Sequence, residues 1–287
     1  MAMHRTSLRS AAALSASAVA LLALTACAPS NDTSAASSSG DDSGTVSPGV
    51  LTIATGEPAY YPWVLDDAPE SGEGFEAAVA YAVAEELGYS EDEVEWVRTT
   101  FDAAIAPGPK DFDFNLQQFS ITDERREFVD FSSPYYTTTQ AVITTEDSAA
   151  ADASSLADLK DFRIGAQTGT TSFTAIEQII QPNEAPAVYN DNDAAKLALQ
   201  SGEIDALVVD LPTAFYLTGV EIDGGVILGQ LPPAEGTEGD SFGLVLAKDS
   251  PLTEDVTAAV DALREDGTLN ALAEEWLAEA TETPVLQ

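Results

Sequence analysis

The chain's apolar positions follow two periods in turn. Residues 50–55 make a short strand-like apolar run, and residues 56–74 form a long loop rich in Pro, Gly and aromatics. Phe75, Val79, Val83 and Leu87 recur at a spacing of four and Gly88 follows, which predicts a helix over 75–87 with a glycine stop. Strand patterns come next at 94–98 and 112–116. Between them a short helix at 101–105 is closed by Pro107, Gly108 and Pro109, and a second short helix at 123–128 opens on acids. After a strand at 137–145 the alternation begins again, with strands at 163–166, 187–189, 204–210 and 226–228 and helices at 171–180, 194–200 and 212–217. A strand at 242–247 and helices at 252–264 and 268–280, parted at Gly267, complete it. Such alternation predicts an α/β protein with mainly parallel sheets, and its restart near residue 140 predicts two lobes.

The first 48 residues stand outside this pattern. Residues 1–10 carry His4, Arg5 and Arg9 and no acid. Residues 11–26 are apolar but dotted with Ser15, Ser17 and Thr25, too short and too weak for a spanning helix, which needs about 20 apolar residues. A basic start, a short apolar centre and small residues at the end read as a secretory signal over 1–26. It closes on Leu24-Thr25-Ala26-Cys27, which resembles the lipobox of bacterial lipoproteins and implies that Cys27 is the lipidated first residue of the processed chain. The stretch from there to residue 48 is rich in Ser, Asp, Gly and Ala and reads as a flexible tether.

Charge narrows the chemistry. Eleven Lys and Arg stand against 49 Asp and Glu, a formal charge of −38, and removing the basic leader makes the body more acidic still. A polyanion of this kind disfavours nucleic acid and unassisted adsorption on anionic lipid. His4 is the one histidine and Cys27 the one cysteine, so the processed fold has no imidazole and no internal thiol. That excludes a Ser-His-Asp triad, a Cys nucleophile, a Cys/His zinc site and a structural disulfide. At 45% apolar residues the remainder supports a packed core.

With cations scarce, each is informative. Arg125 and Arg126 follow Ser120, Ile121, Thr122, Asp123 and Glu124, just beyond an apolar strand. There a guanidinium fork can meet an incoming carboxylate, or it can pair with acids of its own short helix. The run Gln167 to Ser172, with Gly169 inside, sits between a strand and a helix. It can cradle an anion with backbone N–H groups, or simply cap the helix. Asp191, Asn192 and Asp193 look like the start of a calcium loop but lack its glycine and its terminal Glu, so they read as a helix cap.

Residues 112–136, which include Ser120-Ile-Thr-Asp-Glu-Arg125 and Asp130-Phe-Ser-Ser-Pro-Tyr135, resemble the signature of the polar amino-acid family of ABC-transporter solute-binding proteins, bacterial extracellular family 3. The stretches 51–60, 164–171, 201–210 and 264–268, with Trp276, agree in order and spacing, so the likeness covers about 49–280. It implies a two-lobed periplasmic-binding-protein fold of type II. Lobe one would be 49–137 plus 242–287, lobe two 141–236, and the hinge two crossover strands near 137–141 and 236–242. Carried over residue by residue, it implies that Arg125 grips a ligand α-carboxylate, with Ser120 and Thr171 in support. Asp210 would pair with the α-ammonium, and Tyr60 and Phe101 would sandwich the side chain. Thr170, Gln118, Glu57 and Trp63 join the ligand-binding set. In the open cleft Arg125 and Asp210 would both stand in water.

Departures from the family pattern concern ligand choice. Gln117 and Gln118 replace small residues, Glu57 stands in a loop one residue longer than usual, and Trp63 stands where Phe is common. The function implied is that of an extracellular substrate-binding lipoprotein delivering an uncharged polar or basic amino acid to ABC permease subunits. It would be lipid-anchored on the extracytoplasmic face, monomeric, without cofactor or metal, and not an enzyme. The alternatives are a transporter-independent amino-acid sensor, or a dehydratase of the cyclohexadienyl type on the same fold. With no histidine, the dehydratase would need Glu57 or Asp210 as its acid or base.

Overall fold

The computed structural model describes residues 44–233, 236–277 and 283–287. The expected signal, Cys27 and most of the tether lie outside the described residues.

The first sheet has the order β2-β1-β3-β12-β4: β1 (Leu51–Thr55), β2 (Val94–Arg98), β3 (Phe114–Asn115), β4 (Val129–Phe131) and β12 (Val245–Ala247). The second has the order β10-β6-β9-β7-β8: β6 (Gln140–Thr145), β7 (Ile164–Gln167), β8 (Ala187–Tyr189), β9 (Ala206–Asp210) and β10 (Gly225–Gln230). Between them in chain order runs an antiparallel pair of β5 (Tyr136–Thr138) and β11 (Asp240–Phe242). The chain passes through β5 into the second sheet and through β11 back to the first, which gives two lobes and two crossings.

Helices cover the sheets. Helix α1 (Phe75–Glu86) turns Phe75, Val79 and Val83, all fully buried, onto the first sheet. There they meet Leu51, Ile53, Phe114 and Trp63, and the terminal helices α8 (Thr253–Glu265) and α9 (Thr268–Trp276) close the same core. Two turns, α2 (Phe101–Ile105) and α3 (Asp123–Arg126), sit at the ends of its strands. In the second lobe α4 (Leu156–Leu159), α5 (Thr171–Ala175), α6 (Asn192–Gln200) and α7 (Leu211–Tyr216) sandwich the sheet between two apolar clusters. Helices α5 and α7 each continue as a π-helical turn, over Ile176–Ile180 and Leu217–Glu221.

The structure departs from the sequence expectations in three ways. Parallel pairing does not dominate. β1 with β2 and β3, and β7 with β8 and β9, are parallel, but β6 and β12 pair antiparallel with their neighbours. These are the strands that enter each sheet from a crossing, and their direction is set by the crossing rather than by a βαβ connection. The strand expected at 242–247 is two strands parted at Gly243, where a Cβ would lie 2.9 Å from the Ile121 side chain. The end of the chain, assigned above to lobe one, lies on lobe two. Leu286 N–H donates to Gln230 O (2.9 Å), Gln230 N–H donates to Pro284 O (2.7 Å), and Leu286 is buried in the second-lobe core.

Candidate functional site

Arg125 is carried by α3, whose cap is Thr122: the Thr122 Oγ accepts the Arg125 N–H at 3.1 Å. The cap turns the guanidinium inward, where only 8% of the residue is exposed. Nη1 donates to Ser120 O (2.7 Å) and Nη2 to Gly169 O (2.9 Å), the latter on the other lobe. The ring of Phe101 lies under the guanidinium at 5.3 Å and is itself stacked on Phe119. Among the described residues no carboxylate is within ion-pair distance, so pairing with acids of its own helix does not occur. Burial lowers its pKa, and the charges of Asp240, Asp210 and Glu124 partly restore it. In this arrangement two carbonyls and an aromatic ring enclose Arg125, where the expectation for an open cleft places it in water.

Ser120 bridges Phe242. The bonds of that bridge run from Ile121 N–H and Gly243 N–H, which turns the other peptide edge of Ser120 toward Arg125. Its Oγ lies 3.0 Å from Thr171 Oγ1 across the cleft. Thr170 is the cap of α5: its Oγ accepts the Phe173 N–H and donates to Gln167 O. Thr171, the first residue of that helix, faces lobe one. Asp191 caps α6 through the Ala194 N–H (2.7 Å), as its Asx pattern suggested.

Asp210 ends β9 in register with Gln140 at the start of β6. Its Oδ1 accepts from Gln140 Nε2 at 2.7 Å. Burial, and after it the charge of Asp240, pushes its pKa up to about 8, against the Gln140 hydrogen bond and Arg125. Asp210 and Arg125 line one small space, of about 30 Å³, with Ser120, Thr170, Thr171 and Gln118.

That space adjoins a larger one of about 150 Å³, and Phe101, Gln117, Gln118, Gln167 and Asn192 line both. Glu57, Tyr60 and Trp63 line only the larger. Glu57 is exposed at its mouth. The loop carrying Glu57 and Tyr60 is held by Arg98, which donates to Gly56 O (2.7 Å) and pairs with Asp67 (2.6 Å). Trp63 is buried among Phe75, Tyr136 and Phe242, and its Nε1–H donates to Thr213 Oγ1 on the other lobe (3.0 Å). It ties the lobes as well as lining the cavity.

Sequence reasoning missed Glu76. It lies in the first turn of α1, 2% exposed, at the wall of the larger cavity. Tyr135 OH, Gln118 N–H and Gln118 Nε2 all donate to its carboxylate. Those bonds hold Gln118 at a φ of 53°, in the left-handed region. Burial raises the Glu76 pKa to about 7 in spite of these donors. The available signal was an acid beside Phe75 on the face that the apolar period assigns to the core. Gln140 and Asp240 were missed as well.

The sequence profile of the bacterial extracellular solute-binding proteins, family 3, matches residues 51–279. The L-arginine-binding protein of Pseudomonas aeruginosa is 30% identical over 226 residues, 77% of this chain and 85% of that protein. The arginine-binding extracellular protein ArtP of Bacillus subtilis is 28% identical, covering 88% and 92%. Among solved structures, an ancestral arginine-binding protein bound to arginine superposes with a TM-score of 0.65 at 28% identity over 80% of this chain and 99% of that one. An ancestral amino acid-binding protein, a precursor of cyclohexadienyl dehydratase, gives 0.66 at 31% identity over 80% and 96%.

Proposed function

Because the chain belongs to the bacterial extracellular solute-binding proteins of family 3, we propose that it captures a cationic α-amino acid of the L-arginine type between its lobes. Its role is that of the extracytoplasmic amino-acid-binding component of an ABC transporter; the ligand class is our reading. The observation that carries it is the charge inventory of the cleft. A buried zwitterion needs both charges paired. Among the described residues Arg125 is the one cation lining the two spaces and serves the carboxylate, and Asp210 serves the ammonium. Glu57, Glu76 and Asp191 then remain around the larger space, beside the rings of Tyr60 and Phe101, with no cation among the lining residues. That environment favours a ligand side chain with a flat, positively charged end. The names of relatives that bind arginine agree with it.

Ser120, Thr170, Thr171 and Gln118 complete the carboxylate end in this reading, and Trp63 holds the lobes together over the bound molecule. Cys27 carries the lipid anchor, the protein acts as a monomer beside its permease subunits, and it binds without catalysis. Of the two alternative carboxyls for a dehydratase, Glu57 is exposed at the cavity mouth, and Asp210 is assigned in this reading to the ligand ammonium.

The test is calorimetric titration of the processed protein with L-arginine, L-lysine, L-glutamine and L-glutamate. Binding should be tightest for arginine or lysine and weakest for glutamate. Glutamine or glutamate binding more tightly than arginine and lysine, or no binding of any of the four, would overturn the cationic reading.

A further inference from the structure

Gln140 is the meeting point of three chain segments. It opens β6, its register partner is Asp210 of β9, and Asp240 begins β11, whose partner is Thr138 just before it. The side chain is buried and its amide protons and oxygen all have partners. Nε2 donates to Asp210 Oδ1 at 2.7 Å and to Asp240 Oδ2 at 2.8 Å, with Thr171 Oγ1 at the margin (3.4 Å). Oε1 accepts from Ser172 Oγ at 2.6 Å. Reversing the amide would set its oxygen against two carboxylates, so the chemistry of the neighbours fixes the orientation. The close approach of β11 depends on Gly239, with a φ of 147°, where a Cβ would stand 2.0 Å from Thr138 O. A side chain at 239 would push β11 from β5 and lift Asp240 off Gln140.

We infer that Gln140 and Asp240 are positioning residues of the ammonium end of the cleft: one amide gives a proton to each of two acids, so that a cation reaching Asp210 enters the field of a carboxylate pair. The inference rests on the reading that Asp210 receives an ammonium. Like charges brought together on one nitrogen repel, and each amide proton offsets part of that cost. An arriving ammonium offsets the rest. Asp240 also leads the acids whose field sustains the Arg125 cation, so it acts on both ends of the site. The other groups that share this field are Glu76 of α1, Arg125 of α3, and Tyr135 and Tyr136, whose ionisation the Asp210 charge opposes.

The experiment compares wild type with Asp240→Asn and Gln140→Leu. An asparagine at 240 still accepts the Gln140 proton, so shape is kept and charge lost. Two probes are titrated, L-arginine and 5-guanidinopentanoate, which is arginine without its amino group. Both variants should weaken L-arginine by at least about tenfold and 5-guanidinopentanoate by less than about threefold. Equal weakening of the two probes would reduce the pair to a structural hinge contact and overturn the inference. A second arm uses the ligand-free protein and decides the matter if wild type binds neither probe, which would tell against the arginine reading alone. Gln140→Leu should lose more thermal stability between pH 6 and pH 9 than wild type, because Asp210 then ionises beside Asp240 without the amide between them. Adding Asp240→Asn should restore the wild-type slope. An unchanged slope in Gln140→Leu refutes the carboxylate pair.

Discussion

Binding of L-arginine should release a proton. With the cleft shut, the Asp210 carboxyl titrates at about 8, yet a salt bridge to the ligand ammonium needs it ionised. For protein that is shut before ligand arrives, about one molecule in ten carries the ionised form at pH 7, so apparent affinity falls about tenfold below its plateau; at pH 6 the loss is about a hundredfold. Calorimetry at pH 6, 7 and 8, in buffers of different ionisation enthalpy, measures both quantities. Kd should tighten close to tenfold per unit from pH 6 to pH 7, and close to one proton should be released at pH 7. Stopping at pH 8 keeps the ligand's own ammonium charged. Glu76 titrates in the same window, so Asp210→Asn is the control that separates them: its weaker binding should depend little on pH. A wild-type Kd that stays within threefold between pH 6 and pH 8 would refute the reasoning.

Arg125→Ala removes the fork from the ligand carboxylate and should weaken L-arginine by about 30- to several-thousand-fold in calorimetry. It should also lower the unfolding free energy, because Ser120 O and Gly169 O lose their donors in a part-buried cleft. Glu76→Ala orphans Tyr135 OH and the Gln118 N–H and should cost about 2–4 kcal/mol in denaturant unfolding. The folded-state pKa values of Asp210 and Glu76 are raised above their unfolded ones. The stability they contribute is therefore present below about pH 4 and lost as pH rises through 7 and 8, so the Tm of the ligand-free protein should fall from pH 5 to pH 9, less so in Glu76→Gln. Leu286→Ala, although close to the chain end, should cost about 2–4 kcal/mol, since its side chain is 3% exposed in the second-lobe core; an unchanged midpoint would show that the terminal segment is not bound there.

Much of this architecture was legible because each lobe is built from local signals. Phe75, Val79 and Val83 face one way because a helix repeats every 3.6 residues, and Thr170 and Asp191 cap helices where the runs that hold them suggested a cap. The scarcity of cations singled out Arg125, and the structure encloses it at the cleft. Sheet direction was not legible at the crossings, because periodicity records which face a residue occupies and says nothing of which way its neighbour runs. Nor was the return of Leu286 to the second lobe, which reads as one more apolar residue at the end of a chain.

The site's remaining groups were hidden by sequence distance. Gln140 meets Asp210 across 70 positions and Asp240 across 100, and Glu76 meets Gln118 across 42. No motif spans such gaps. They close only because the chain crosses between the lobes twice and brings β5 against β11, with Gly239 allowing the approach. The crossings therefore do more than join two lobes. They supply one acid, one amide and a glycine to the place where the ligand's ammonium would sit, so in the proposed reading the strands of a hinge would also set the charge that a closing cleft must accommodate. Coupling of that kind makes ligand charge and closure one equilibrium: a molecule that cannot neutralise the Asp210–Asp240 pair leaves the shut state to bear its repulsion, and the open state is favoured by that amount.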